Sequence, residues 1–99
     1  MMIKCKDLSE VRENIDRIDN EIIKLIAERG CFVKQAAAFK KDENGVRDSG
    51  RVEAVIAKVR AKAVQYGADP GLVETVYRGM ISAFISMEMK EFNSAESKG

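Results

Sequence analysis

From Leu8 to Phe39 apolar residues recur every three or four positions, at Leu8, Val11, Ile15, Ile18, Ile22, Leu25, Phe32, Ala36 and Phe39, and no proline interrupts them. That spacing puts them on one stripe of a single α-helix. The helix opens near Asp7 or Ser9, where Ser9 is suited to cap the free N–H groups of the first turn, and the pattern carries it to about Lys41. A helix of about 34 residues is roughly 50 Å long, whereas a domain of this size has a radius of gyration of about 13 Å. Such a rod overhangs anything else the chain can build. Its stripe outlasts about four heptads, and the most economical cover for the overhang is a second copy of the same helix, so a two-fold homodimer is expected. The alternative is a helix bent or broken at Gly30, but one mid-helix glycine costs only about 1 kcal/mol and does not by itself break a helix.

The remaining sequence also reads as helices joined by turns, with almost no period-2 alternation to suggest strands. Asp42 to Gly50 is the richest in turn chemistry, with Asn44-Gly45 as the expected tight turn and Asp48 or Ser49 as the next cap. A second helix is expected from about Gly50 to Tyr66, with Val52, Val55, Ile56, Val59 and Ala63 on one side and Gly67 as its left-handed stop. Asp69-Pro70 restarts the chain, Asp as cap and Pro in the first turn, where its missing N–H costs nothing. The third helix runs from about Pro70 to Phe92, carrying Val73, Val76, Tyr77, Met80, Ile81, Phe84 and Ile85 on its apolar side, and Asn93 to Gly99 reads as a frayed tail. The expected fold class is therefore all-α, three helices in one domain over residues 1–99, ordered from about 7 to 92.

Composition narrows the chemistry. A formal net charge of +1 supplies no field to gather polyanions, so nucleic acid is not an expected partner. The N-terminus Met1-Met2-Ile3-Lys4-Cys5-Lys6 has no apolar run of secretory length, and no stretch approaches the ~20 residues of a membrane span, so no membrane association and a cytoplasmic location are expected. There is no histidine, and Cys5 and Cys31 are too few for a disulfide framework or a zinc site. No metal and no cofactor are expected, and Cys31 reads as a small buried thiol. Any proton transfer falls to carboxylates or lysines.

Several charged residues break the apolar pattern. If the first stripe is written as alternating a and d positions, Arg29 occupies the next a position, and a guanidinium in an apolar seam needs an internal carboxylate or an anionic ligand. Lys40 lies 11 residues on, close to three whole turns, and so projects from nearly the same face about 16 Å further along. Arg12 precedes Arg29 by 17 residues, roughly 25 Å, and can meet the same small ligand only from the other subunit of an antiparallel or crossing dimer. Arg51, at the start of the second helix, adds a cation beside backbone N–H groups that themselves favour anions. The set suits a small dianion. Solvated helix charges are the ordinary fate of residues such as Arg12, Lys40 and Arg51, and pairing with a partner's Glu28 or with Glu88 would satisfy Arg29 without any ligand. Glu88 continues the apolar stripe of the third helix, so its carboxyl is expected to point inward, its structural role being a salt bridge to a core arginine.

Taken together, Val11-Arg12, Ile15, Ile18-Asp19, Leu25-Ile26-Ala27-Glu28-Arg29, Val33, Ala36, Lys40, Val46-Arg47-Asp48, Arg51, Val76-Tyr77 and Met80-Ile81 resemble the helical chorismate mutase family over about residues 7 to 92. The resemblance implies an intertwined homodimer with two sites, each lined by the three helices of one subunit and an arginine of the other. It implies Arg12 as the donated arginine, Arg29 on a substrate carboxylate, Lys40 on the ether oxygen that loses its bond, Arg51 close by, and the backbone around Asp48 at the ring hydroxyl. The reaction it implies, chorismate to prephenate, is pericyclic and asks only for positioning and for cations at the oxygen where charge develops.

Bacterial members of the mutase type commonly carry Glu at the position of Val52, Ser at that of Phe84 and Gln at that of Glu88. Val52 and Phe84 look more like the isochorismate-pyruvate lyase branch, as do Ile18-Asp19 and the run Gln35-Ala36-Ala37-Ala38-Phe39-Lys40, although that lyase also has Gln where this chain has Glu88. Yeast-type mutases place Glu there. A carboxylate would repel a dianionic substrate, so Glu88 is expected to act only when protonated and donating to the ether oxygen. Chorismate mutase is the leading expectation and isochorismate-pyruvate lyase, giving salicylate and pyruvate, the alternative. A non-catalytic helical dimer that binds a small dicarboxylate is a third reading from another class.

Overall fold

In a computed structural model, which describes residues 4–40, 45 and 47–98, the described residues form three long helices and no strands. They are α1 (Leu8–Ala37), α2 (Ser49–Tyr66) and α3 (Pro70–Lys98). The expected Asn44-Gly45 turn and Val46 of the family motif fall wholly or partly on residues outside that description, as does the N-terminal Met1-Met2-Ile3. No helix among the described residues is long and apolar enough to cross a membrane.

The caps form where short polar side chains precede apolar runs. At α1 the cap is Asp7 and not Ser9: the Glu10 backbone N–H donates to Asp7 Oδ1 at 2.8 Å. At α2 the Arg51 N–H donates to Asp48 Oδ1 at 3.0 Å, so the helix starts one residue before the expected Gly50. Gly67 closes α2 in the left-handed conformation (φ 76°), and the Ala68 N–H reaches back to Ala63 O at 2.8 Å, which satisfies carbonyls that the helix end would otherwise leave open. Asp69 Oδ1 then accepts from the Gly71 N–H at 2.8 Å, with Pro70 in the first turn of α3.

Two helix ends differ from expectation. Residue 37, not Lys41, ends α1; the N–H groups of Ala38, Phe39 and Lys40 then bond three residues back, to Gln35, Ala36 and Ala37. Over three residues a spacing of 3.0 cannot be told from one of 3.6, so Ala36 and Phe39 looked like one more helical turn. At the other end α3 runs to Lys98 and does not fray from Asn93. Ser94 to Lys98 is polar but holds neither Pro nor Gly, and polarity alone does not stop a helix.

The chain divides into two units, residues 1–32 and 33–99. In the first, α1 passes Gly30 without a break, and none of its residues is buried by this chain. Its seam residues Leu8, Ile15, Ile18, Ile22 and Leu25 remain 46–61% exposed. Cys31 is exposed as well, contrary to the expectation of a buried thiol; it lies on a helix that offers it no interior. Near the N-terminus Asn14 Nδ2 donates to Glu10 O at 3.0 Å and approaches Cys5 Sγ at 3.7 Å.

In the second unit α2 and α3 pack as an antiparallel pair, since residue 60 joins 74 while residue 53 joins 78. Among the described residues, Ile56, Val59 and Ala63 of α2 and Ile81 and Met89 of α3 are the buried apolar ones. Their 3–4 spacing on α2 is the stripe legible in the sequence. The core is small, and the polar ties across it acquire corresponding weight.

Candidate functional site

Glu88 sits on the buried side of α3, one to two turns beyond Ile81 and next to Met89, and only 7% of it is exposed. A carboxylate taken out of water requires a counter-charge. Lys40 provides it from the segment that follows α1: its Nζ donates to Glu88 Oε2 at 3.2 Å, with 28% of the lysine side chain exposed. The inward carboxyl expected from the apolar stripe is present, but its partner is a lysine and not the arginine expected. Two residues 48 apart in sequence are thus brought together, and both belong to the predicted set.

The other members of that set in this unit lie at the start of α2 and on α3. Asp48 is exposed and caps α2, and Arg51, whose N–H it holds, points an exposed guanidinium from the first turn. A Cβ at Gly50 would meet Asp48 Oδ1 at 3.3 Å, so glycine there leaves the cap its room. Val52 and Phe84 are half-buried, Phe84 one turn before Glu88. In the first unit Arg12 is exposed and Arg29 half-buried, with less than 1 Å² of Arg29 Nη1 open to solvent. Because α1 is continuous, 17 residues separate these two arginines by roughly 25 Å, and one chain cannot close both on one small molecule.

A second charged cluster was missed by the sequence reading. Arg78 donates to both oxygens of Glu53, Nη1 and Nη2 each at 2.9 Å, and its Nε donates to Glu74 Oε2 at 2.7 Å. Arg60 Nη1 completes the row on Glu74 Oε1 at 2.7 Å. The Glu74–Arg78 spacing of four was visible in the sequence, but the 25 residues between Glu53 and Arg78 are closed only by the helix pairing.

Hydrogen bonds from Arg78, joined at Glu74 by Arg60, hold the carboxyls of Glu53 and Glu74 below their ordinary value of 4.5. A carboxyl lowered in the folded state stabilises the fold above its ordinary value and ceases to do so as pH falls through the lowered one. The stability advantage of the wild type over Arg78→Met is therefore expected to hold at neutral pH, to begin to decline below about 4.5 and to be lost as pH falls through the lowered values. Thermal melts of both proteins across pH measure it; an advantage that grows in acid contradicts the assignment.

Comparison with known proteins gives a consistent result. The profile of the family described as chorismate mutase type II matches residues 11–89. The chain is 33% identical over 86 residues to the isochorismate pyruvate lyase of Pseudomonas aeruginosa, covering 87% of this chain and 85% of that protein. It is 26% identical over 92 residues to the chorismate mutase of Methanocaldococcus jannaschii, covering 92% of this chain and 93% of that protein. With the bifunctional chorismate mutase/prephenate dehydratase of Aquifex aeolicus it shares 36% identity over 90 residues, 86% of this chain but 25% of the larger protein.

Proposed function

Since the chain belongs to the type II chorismate mutase family, we propose that it is a chorismate mutase, an isomerase that converts chorismate to prephenate without a cofactor. What supports this reading is the Lys40–Glu88 pair, a cation and a carboxyl set together, suited to act on the breaking ether bond that the family resemblance implies for Lys40. In the rearrangement the C–O bond breaks while a C–C bond forms, and negative charge collects on the departing oxygen. Lys40 turns its ammonium to that oxygen, and Glu88, having taken a proton from solvent, donates a second hydrogen bond to it. Arg29 holds a carboxylate, Arg51 and the backbone around Asp48 bind the ring side, and Val52 and Phe84 exclude water. Residues 1–99 act as one catalytic domain, in the cytoplasm.

The enzyme acts as an intertwined homodimer, with Arg12 reaching into the partner's site. What supports this is the apolar face of α1, which a single chain leaves exposed along its length. Isochorismate pyruvate lyase is the second reading. It is favoured by the 33% identity to a protein of that name over 85% of its length and by the apolar Val52 and Phe84. Incubating the purified protein separately with chorismate and with isochorismate, and following prephenate and salicylate, separates the two. Turnover of neither substrate, with a dicarboxylate still bound, would instead leave a non-catalytic helical dimer.

The resting ion pair makes the role of Glu88 testable. Glu88 is buried against one lysine, and it loses that counter-charge when Lys40 turns to the substrate. Glu88→Gln, which keeps a hydrogen-bond donor without the charge, is expected to retain turnover, whereas Glu88→Ala is expected to lose most of it. Turnover of Glu88→Ala equal to that of the wild type would remove Glu88 from the mechanism.

A further inference from the structure

We propose that Arg78 is a positioning residue for the reaction, acting through Glu53 to fix the first turns of α2 against α3; the inference rests on the functional reading above. Residues 49–55 of α2 contain no buried side chain, since the buried stripe begins at Ile56. Yet this is the segment that carries Asp48's cap partner Arg51 and the half-buried Val52. Packing alone therefore holds it loosely. Glu53 follows Val52 directly, and the bidentate grip of Arg78 at 2.9 Å on each oxygen restrains both the separation and the rotation of that turn relative to α3. A second bond from Arg78 Nε to Glu74 Oε2 at 2.7 Å fixes the guanidinium itself.

The geometry is directed at the site. Along α3, Arg78 precedes Phe84 by six residues and Glu88 by ten, about 9 and 15 Å. The clasp thus sets how Arg51 and Val52 face the half of α3 that bears Phe84 and Glu88. Its worth to stability is small, because Arg78 and Glu53 are 43% and 63% exposed and exposed pairs are screened by water. Its worth to binding is larger, since displacements below an ångström in groups that grip a small anion are felt in affinity. Arg60 is the internal control. It shares Glu74 with Arg78 but attaches to α2 seven residues further from the site, beyond the buried Ile56 and Val59.

The test is steady-state kinetics of the wild-type chain, Arg78→Met, Arg78→Lys and Arg60→Met, on chorismate and isochorismate, with thermal melts of each. Arg78→Met is expected to raise KM about three- to tenfold with kcat within about twofold, and Arg78→Lys, which keeps the charge but not the fork, to fall between it and the wild type. Arg60→Met is expected to leave KM within about twofold. An unchanged KM in Arg78→Met, or an equal rise in Arg60→Met, overturns the positioning role while leaving the functional reading intact. A wild type that turns over neither substrate overturns both.

Discussion

Lys40→Met is expected to lower kcat/KM by about two to three orders of magnitude, the scale lost when one preorganised donor to a developing oxyanion is removed. Methionine keeps most of the length of the lysine stem and removes the ammonium. The structure adds a complication that the variant must be designed around. Glu88 is 7% exposed and loses its counter-charge in Lys40→Met, so the protein is also expected to lose about 1–3 kcal/mol of stability. The double variant Lys40→Met/Glu88→Gln separates the two effects. Its melting temperature is expected to return toward the wild type, because no buried charge is left without a partner, while turnover stays low. If the double variant regained activity together with stability, Lys40 would be a structural cation and the catalytic assignment would fall.

The second large effect tests the proposed dimer, in which Arg12 of one subunit enters the site of the other. Arg12→Ala and Lys40→Met are each expected to be nearly inactive as pure proteins. When the two are unfolded together and refolded as a mixture, half of the dimers are mixed, and in each mixed dimer one of the two sites holds an intact Lys40 and an intact partner Arg12. About a quarter of wild-type activity is therefore expected to return. The separation of roughly 25 Å between Arg12 and Arg29 along an unbroken helix is what makes the outcome informative, since within one chain the residues cannot substitute for one another. A mixture no more active than its components would place Arg12 outside the site.

The degree to which these features could be read from residues alone varied with their physical range. The boundaries of α2 and the start of α3 were legible because they are written in local chemistry: Asp48, Gly67 and Asp69-Pro70 each act on backbone groups within a few residues. The inward carboxyl of Glu88 was legible because a helix stripe is a local pattern too. Its partner was not. Lys40 lies 48 residues away, after a turn whose place depends on where α1 ends, and that end was misplaced by four residues because a tightened last turn mimics the helical period. The Arg78 clasp failed to show for the same reason, as a contact between helices that no single-helix pattern encodes. Cys31 was misread because burial was inferred from residue type, whereas no residue of α1 is fully buried within its own chain and Cys31 itself is exposed.

The Lys40–Glu88 pair also bears on which anions can lodge there. An ammonium that already faces a carboxylate at 3.2 Å behaves as a loaded ion exchanger, not as a bare positive charge. A small inorganic anion arriving at it must evict the resident group for a single contact in return, with little net gain. Only a ligand that brings several gripping points of its own, two carboxylates and an ether oxygen in fixed geometry, recovers more than the exchange gives up. A site built on this pair, as proposed, would thus reject small inorganic anions by being already neutral, and discriminate by the number of contacts offered before any shape is compared.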